Sequence, residues 1–176
     1  RGARTDGPRR LHSQGSLKPS ASELDIAVSG LGMFVTTKAD DANPVVFTRD
    51  GSFRLEDDGR VVTWDGRSLI DSEGQPIYIP IQRTNENGNR QLLTAVNISI
   101  AGQIEAVYGT AVPNKSAAPS EIVDLGMIAL ARFGNVGALK SIGSGQFVTT
   151  EKSGLPQLGT AGQANFGDIQ SGNLEM

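Results

Sequence analysis

Three times within the stretch FTRDGSFRLEDDGRVVTWDG (47–66) an aspartate stands directly before a glycine: Asp50-Gly51, Asp58-Gly59 and Asp65-Gly66. Carboxylates so placed could ligate calcium, act as an acid and base pair, or mark the turns of a β-structure. A calcium loop of the EF-hand type needs oxygen ligands at alternate positions, a central glycine and a bidentate glutamate at the twelfth position. Counted from Glu56 or Asp57, the later ligand positions fall on Val61, Val62 and Trp64, which carry no carboxylate. Asp-Gly also suits a tight hairpin loop, because glycine takes positive φ freely and aspartate tolerates it while bonding nearby backbone. The acidic pairs read as punctuation, and no metal ligand is assigned.

The other candidates for chemistry are sparse. His12 is the single histidine. As a base it needs a carboxylate to hold it and a nucleophile to activate; as a zinc ligand it needs companions. Its polar surroundings supply neither. A glycosidase can work with two carboxylates alone, several ångströms apart in a cleft, but nearly all Asp and Glu here fall in turn contexts. A carbohydrate-binding β-sandwich would need an aromatic platform, which Trp64 could form only by sharing a face with Tyr78 or Tyr108. Trp64 instead reads as a strand-end packing residue. GLGMF (30–34) joins two strands, whereas a phosphate-binding glycine motif opens a helix. The residues therefore assign no catalytic group, no cofactor and no metal, and the chain reads as a non-enzyme.

These residues sit among short β-prone runs separated by turn residues. LDIAVSG (24–30) alternates Leu24, Ile26 and Val28 on one face, and GMFVTTKA (32–39) follows as a second strand. DDANP (40–44) leads into VVFTR, SFRLE and RVVTW, each of ordinary strand length and expected to pair with its sequence neighbour. In RSLIDSEGQPIYIPI (67–81), Ser72-Glu73-Gly74 forms a turn, and Pro76 and Pro80 place the alternating Ile77, Ile79 and Ile81 on an edge strand. QRTNENGNRQ (82–91) is expected to be an exposed loop. Two strands follow around Gly102, then a second exposed loop (110–121). IVDLGMIALARF (122–133) reads as one buried strand, with Met127, Ala129 and Ala131 on one side and Ile128, Leu130 and Arg132 on the other. QFVTTE is a further strand, and one short helix is expected near 135–141. No apolar stripe at helical spacing runs beyond two turns. The fold class is all-β, an antiparallel hairpin-rich domain with little helix. Residues 1–23, broken by Gly7, Pro8, Gly15 and Pro19, form an extended lead-in, and 24–176 form a single β-rich domain.

Bulk properties agree. The chain has 176 residues, 38% of them hydrophobic and 20% charged, enough for one domain with an apolar core. A net charge of −3 gives no footprint for nucleic acid. The basic cluster RGARTDGPRR has no aromatic residue for base stacking and reads as a solvated arm. Without cysteine there are no disulfides, cysteine–zinc sites or thiol catalysis. No apolar run reaches the roughly 18 residues of a membrane span, so no membrane insertion is expected, and no signal-peptide core opens the chain. The first residue is not Met, and the sequence reads as an excised piece of a longer protein.

Several stretches, taken in order, resemble one family. RLHSQGSL (10–17), LDIAVSGLGMFVTT (24–37), FTRDGSFRLEDDGRVVTWDGRSL (47–69), LGMIALARFGNVGALKSIGSGQFVTTEKSG (125–154) and GDIQSGNLEM (167–176) are similar to the bacterial flagellar axial proteins of the rod and hook. The Thr-Arg-Asp-Gly-Ser-Phe segment is the specific signal. The resemblance implies a structural role: helices at both chain ends form the inner tube of a hollow polymer, and this chain is the outer β domain between them. It implies partners, namely copies of itself, adjacent rod and hook proteins and the flagellar export apparatus, with no cleavable signal peptide. It also places expected assembly contacts at Leu11, His12, Gln14, Leu174 and Glu175, next to the missing helices. Hook proteins carry a further large β-domain, for which the interval between the hairpin region and Gly126 has no room. RLHSQGSL also looks like the distal rod type. The rod of the basal body is the expected location, with the extracellular hook as the alternative. Met33 departs from the family, which usually has an aromatic residue there.

Overall fold

The computed structural model describes residues 17–19, 22, 24–110 and 120–175. The first strands are β1 (Leu17–Pro19), β2 (Ile26–Ser29), β3 (Met33–Thr37), β4 (Val45–Thr48), β5 (Arg54–Leu55), β6 (Val61–Val62) and β7 (Ser68–Leu69). A longer set follows: β8 (Gln82–Thr84), β9 (Arg90–Ile98), β10 (Gln103–Thr110) and β11 (Glu121–Met127). The last are β12 (Leu130–Arg132), β13 (Lys140–Gly143), β14 (Gln146–Val148), β15 (Gln157–Gly159), β16 (Asp168–Ser171) and β17 (Asn173–Glu175). The short helix expected near 135–141 is a single 3₁₀ turn, Val136–Ala138.

The main sheet runs β13-β14-β4-β3-β7-β6-β5, all antiparallel. One edge of β3 is shared: Phe34 and Met33 pair with β12, while Thr36 and Thr37 pair with β7. This sheet is buried on both faces, and side-chain alternation separates two cores. Phe34, Leu69, Ile128 and Leu130 face one core, which also takes Ile26, Val28 and Ile169. Met33, Val35, Ile70, Ala129 and Ala131 face the other, closed by Phe47 and Leu139. Phe53 meets Phe34 edge-on with ring centroids 5.3 Å apart, a favoured aromatic geometry.

The second sheet, β11-β10-β9-β8, covers the first core. Ile104, Ala106 and Tyr108 of β10 alternate inward and are almost fully buried. Tyr108 donates from its hydroxyl to the Pro80 carbonyl at 2.7 Å, and Arg83 stacks over its ring at 5.2 Å.

Four expectations change. VVFTR and SFRLE are not neighbours, since β4 lies between β3 and β14 and β5 at the far edge. Asp50-Gly51 is therefore a crossing, whereas Gly59 and Gly66 do close hairpins, with φ of 91° and 80°. The 76–81 segment forms only isolated bridges, Ile70 with Pro76 and Arg60 with Tyr78. Two prolines without N–H donors prevent a ladder there. QRTNENGNRQ is a hairpin, with β8 paired to β9 around Asn85–Asn89. Finally, 122–133 is two strands in two sheets, broken after Met127 where Gly126 sits at φ 100°.

Candidate assembly junction

Asp50, Asp58 and Asp65, the first candidates for chemistry, are engaged by their own turns. Asp50 accepts from the Ser52 backbone N–H and hydroxyl at 3.1 and 2.6 Å. Asp58 accepts from the Arg60 N–H and side chain, and the backbone bond leads in holding its carboxyl below the ordinary range. Burial pushes Asp65 up, but the Thr63 hydroxyl, the Gln146 amide, its own backbone N–H and Arg67 outweigh this, and its pKa lies below the ordinary value. Arg67, only 3% exposed, pairs with Asp41 at 2.8 Å and donates to the Asn43 carbonyl, tying the 38–44 loop to this hairpin. Among the described residues no three of His, Cys, Asp and Glu converge as a metal site. Trp64 and Tyr78 are exposed, but Tyr108 is 1% exposed and offers no platform.

What the structure does concentrate is the meeting of the two ends of the domain. β1 and β17 are antiparallel, with Leu17 opposite Glu175 and Lys18 opposite Leu174. Beside them β2 pairs with β16, Ile26 opposite Ser171 and Ser29 opposite Asp168. Of the five residues expected at assembly contacts, Leu174 and Glu175 fall at this junction, and Leu11, His12 and Gln14 lie outside the described residues.

Arg49, read from sequence only as a strand end, is the hub of the junction. Its Nε and Nη2 lie 2.8 and 2.7 Å from Glu175 Oε2. Nη1 donates to the carbonyls of Gly30 and Gly32 at 2.9 and 2.8 Å, and Nη2 to that of Val28 at 2.8 Å. The planar guanidinium fork suits several acceptors at once. GLGMF thus turns carbonyls toward a cation; a phosphate loop would present N–H donors. A Cβ on Gly51 would lie 1.6 Å from the Ile26 carbonyl oxygen, so β2 passes too close for any other residue. At Gly167 a Cβ would meet the Ser29 oxygen at 2.3 Å. Along Arg49-Asp50-Gly51-Ser52-Phe53 the residues supply, in order, the clamp, the turn acceptor, the close approach, the turn donor and a core ring.

Arg49 also walls a cleft of about 190 Å³ lined by Leu31, Gly32, Met33, Ala131, Arg132, Phe133 and Val136. Leu31 and Val136 are exposed at its rim.

A β domain whose first and last strands meet, and whose candidate carboxylates are occupied by its own turns, has the build of a scaffold, and known proteins of similar sequence are structural. Residues 27–106 match the family model for the flagellar hook protein FlgE/F/G D1 domain. Over 174 residues the chain is 29% identical to the flagellar basal-body rod protein FlgG of Agrobacterium fabrum, covering 99% of this chain and 57% of that protein. It is 30% identical over 174 residues to FlgG of Buchnera aphidicola subsp. Acyrthosiphon pisum, covering 99% and 58%. A shorter match, 53% identical over 53 residues, is to the flagellar hook protein FlgE of Borreliella burgdorferi, covering 30% of this chain and 12% of that protein. These matches make the chain similar to the flagellar axial proteins of the rod and hook. Within that class it is most like the rod protein FlgG, and it spans a little over half the length of the FlgG relatives it matches.

Proposed function

We propose that this chain is the outer β domain of a flagellar rod subunit. Residues 24–176 form the domain, and 1–23 lead into it. The subunit polymerises with its own copies and with adjacent rod and hook proteins into a helical tube that transmits torque and serves as an export channel. It does no catalysis and binds no nucleic acid. It leaves the cell through the flagellar export apparatus without a cleavable signal peptide. Leu11, His12, Gln14 and Leu174 make assembly contacts, and Glu175 joins them while held by Arg49.

One observation carries the reading: β1 of the lead-in runs beside β17 at the end of the domain, and Arg49 holds β17 through Glu175, so the way into the domain and the way out are presented together. That is what a domain carried on paired terminal segments requires. The local match to a hook protein supports a second reading, the core domain of a hook. Immunogold microscopy of isolated basal bodies, with antibodies raised against this chain, separates the two. Label on the rod is expected; label confined to the hook supports the second reading, and label on neither contradicts both.

A further inference from the structure

Two exposed patches on this chain complement each other. The first is the cleft beside Arg49, with an apolar floor of Met33, Ala131 and Phe133 and exposed Leu31 and Val136 at its rim. Leu158, 59% exposed, lies opposite Ala131 in the strand pairing and extends the same apolar row outward. Arg132 lines this cleft and has no acidic partner among the described residues. The second patch is the outer face of the four-stranded sheet. Ile122, 66% exposed, stands beside Val107 and Ala95 in one cross-strand row. The next row on that face is Asp124, Glu105 and Asn97. No Lys or Arg pairs with Asp124 or Glu105 among the described residues. Asp124 accepts from the Gln103 amide and the Gly126 N–H at 2.8 and 2.9 Å, bonds that leave its charge uncancelled. Adjacent carboxylates on neighbouring strands repel each other, so a cation brought to this face would be favoured.

We propose that the Ile122 face of one copy docks in the Arg49-side cleft of the next, with Ile122 against the apolar floor and Arg132 facing Asp124 and Glu105. The inference rests on the polymer reading above and names one of its contact surfaces. A second copy is the occupant because each copy carries both the unpaired cation and the unpaired carboxylates, and they complement each other, whereas the acidic face against itself juxtaposes four carboxylates, which is unfavourable. Ile122 and Arg132 also lie at opposite ends of the run 121–132, ten positions apart. At the rise of a strand they stand up to about 30 Å from each other. Two different patches on one chain make a heterologous contact, which adds copies in a row and does not close a dimer. A cleft of about 190 Å³ takes a few side-chain groups, far less than a standard interface buries. The contact is weak alone, and it fills at high chain concentration as well as when other segments hold the copies together.

The absence of native cysteine makes the test direct. Ile122→Cys and Val136→Cys are made in separate chains, checked for folding by circular dichroism, mixed and oxidised over a concentration series. Trp64→Cys replaces Ile122→Cys as the exposed control. The expected result is a mixed disulfide between Cys variants at 122 and 136 in clear excess over the control pair. Adding Arg132→Glu to the Val136→Cys chain lowers the yield by about two- to fivefold, the worth of an exposed ion pair, and adding Asp124→Lys to its partner restores it. A chain carrying both cysteines gives a ladder of oligomers. Equal yields for test and control pairs overturn the proposal, as does a yield indifferent to Arg132→Glu. If the mixed disulfide fails while the longer protein still polymerises, this contact is wrong and the function stands; failure of polymerisation with the disulfide present has the opposite meaning.

Discussion

Replacing Arg49 with methionine keeps most of the side chain's bulk and removes its charge and its fork of donors. Three of its interactions are part-buried: with Glu175, with the Gly32 carbonyl and with the Val28 carbonyl. The bond to Gly30 is exposed and contributes little. Hydrogen bonds to charged groups are worth about 1.5–3 kcal/mol each when buried. Arg49 and Glu175 retain 17% and 12% exposure, so screening by water reduces this. At about 1 kcal/mol for each part-buried bond, Arg49→Met costs about 3 kcal/mol. With a urea m-value of about 2 kcal/mol/M, the midpoint of unfolding falls by about 1.5 M. Glu175→Gln removes only one acceptor charge and costs about 1 kcal/mol. Because the two residues share an interaction, the double variant costs less than the sum of the singles. The assay is equilibrium urea unfolding of the 176-residue chain by circular dichroism. An Arg49→Met midpoint within about 0.3 M of the parent, or additive single and double variants, refutes the clamp.

The remaining predictions rest on separate observations. Gly51→Ala forces a methyl onto the Ile26 carbonyl and unfolds or severely destabilises the chain, whereas Gly66→Ala has open space and costs only the about 1 kcal/mol of left-handed strain. Equal thermal stability of the two variants refutes the close approach. Asp65 has a folded-state pKa below its ordinary 3.8. Its carboxylate therefore stabilises the fold above that ordinary value, and this stability is lost as pH falls through the folded-state pKa. Asp65→Asn flattens the pH dependence of unfolding between about pH 5 and pH 2; an unchanged slope refutes the assignment. Burial raises the Tyr108 pKa, so the ionised ring is favoured in the unfolded chain, and stability falls as pH rises above the ordinary tyrosine value. In spectrophotometric titration Tyr108→Phe removes the later-ionising step, and its survival in that variant would contradict the burial described here.

Local pattern carried most of the fold into view. Asp-Gly at 58–59 and 65–66 sits between runs of strand residues only a few positions apart, and those hairpins form as expected. The alternation of 128–131 likewise divides those residues between the two cores. The misses have physical reasons. Asp50-Gly51 carries the same dipeptide as the hairpins, but its glycine answers to a contact with Ile26, 25 positions away, which no local rule reports. The β8–β9 hairpin was hidden because Gln82, Arg83 and Thr84 are polar on both faces and show no alternation. The break after Met127 was hidden because 122–131 is apolar at almost every position, which conceals the change of phase from Val123 and Leu125 on the first core before the break to Ile128 and Leu130 on it afterwards. Arg49 and Glu175 are separated by 126 positions. Their pairing exists only in the folded chain, and the one sequence trace of it is an arginine set directly before Asp-Gly beside a loop of glycine carbonyls.

The central claim is that this domain coats an axial polymer built through segments outside it. The most direct measurement compares this chain with the longer protein bearing both terminal segments, by sedimentation and electron microscopy under polymerising conditions. The account predicts tubes or filaments from the longer protein and a monomer in dilute solution from this chain. A stable closed oligomer from this chain alone, or monomers from both, would contradict it.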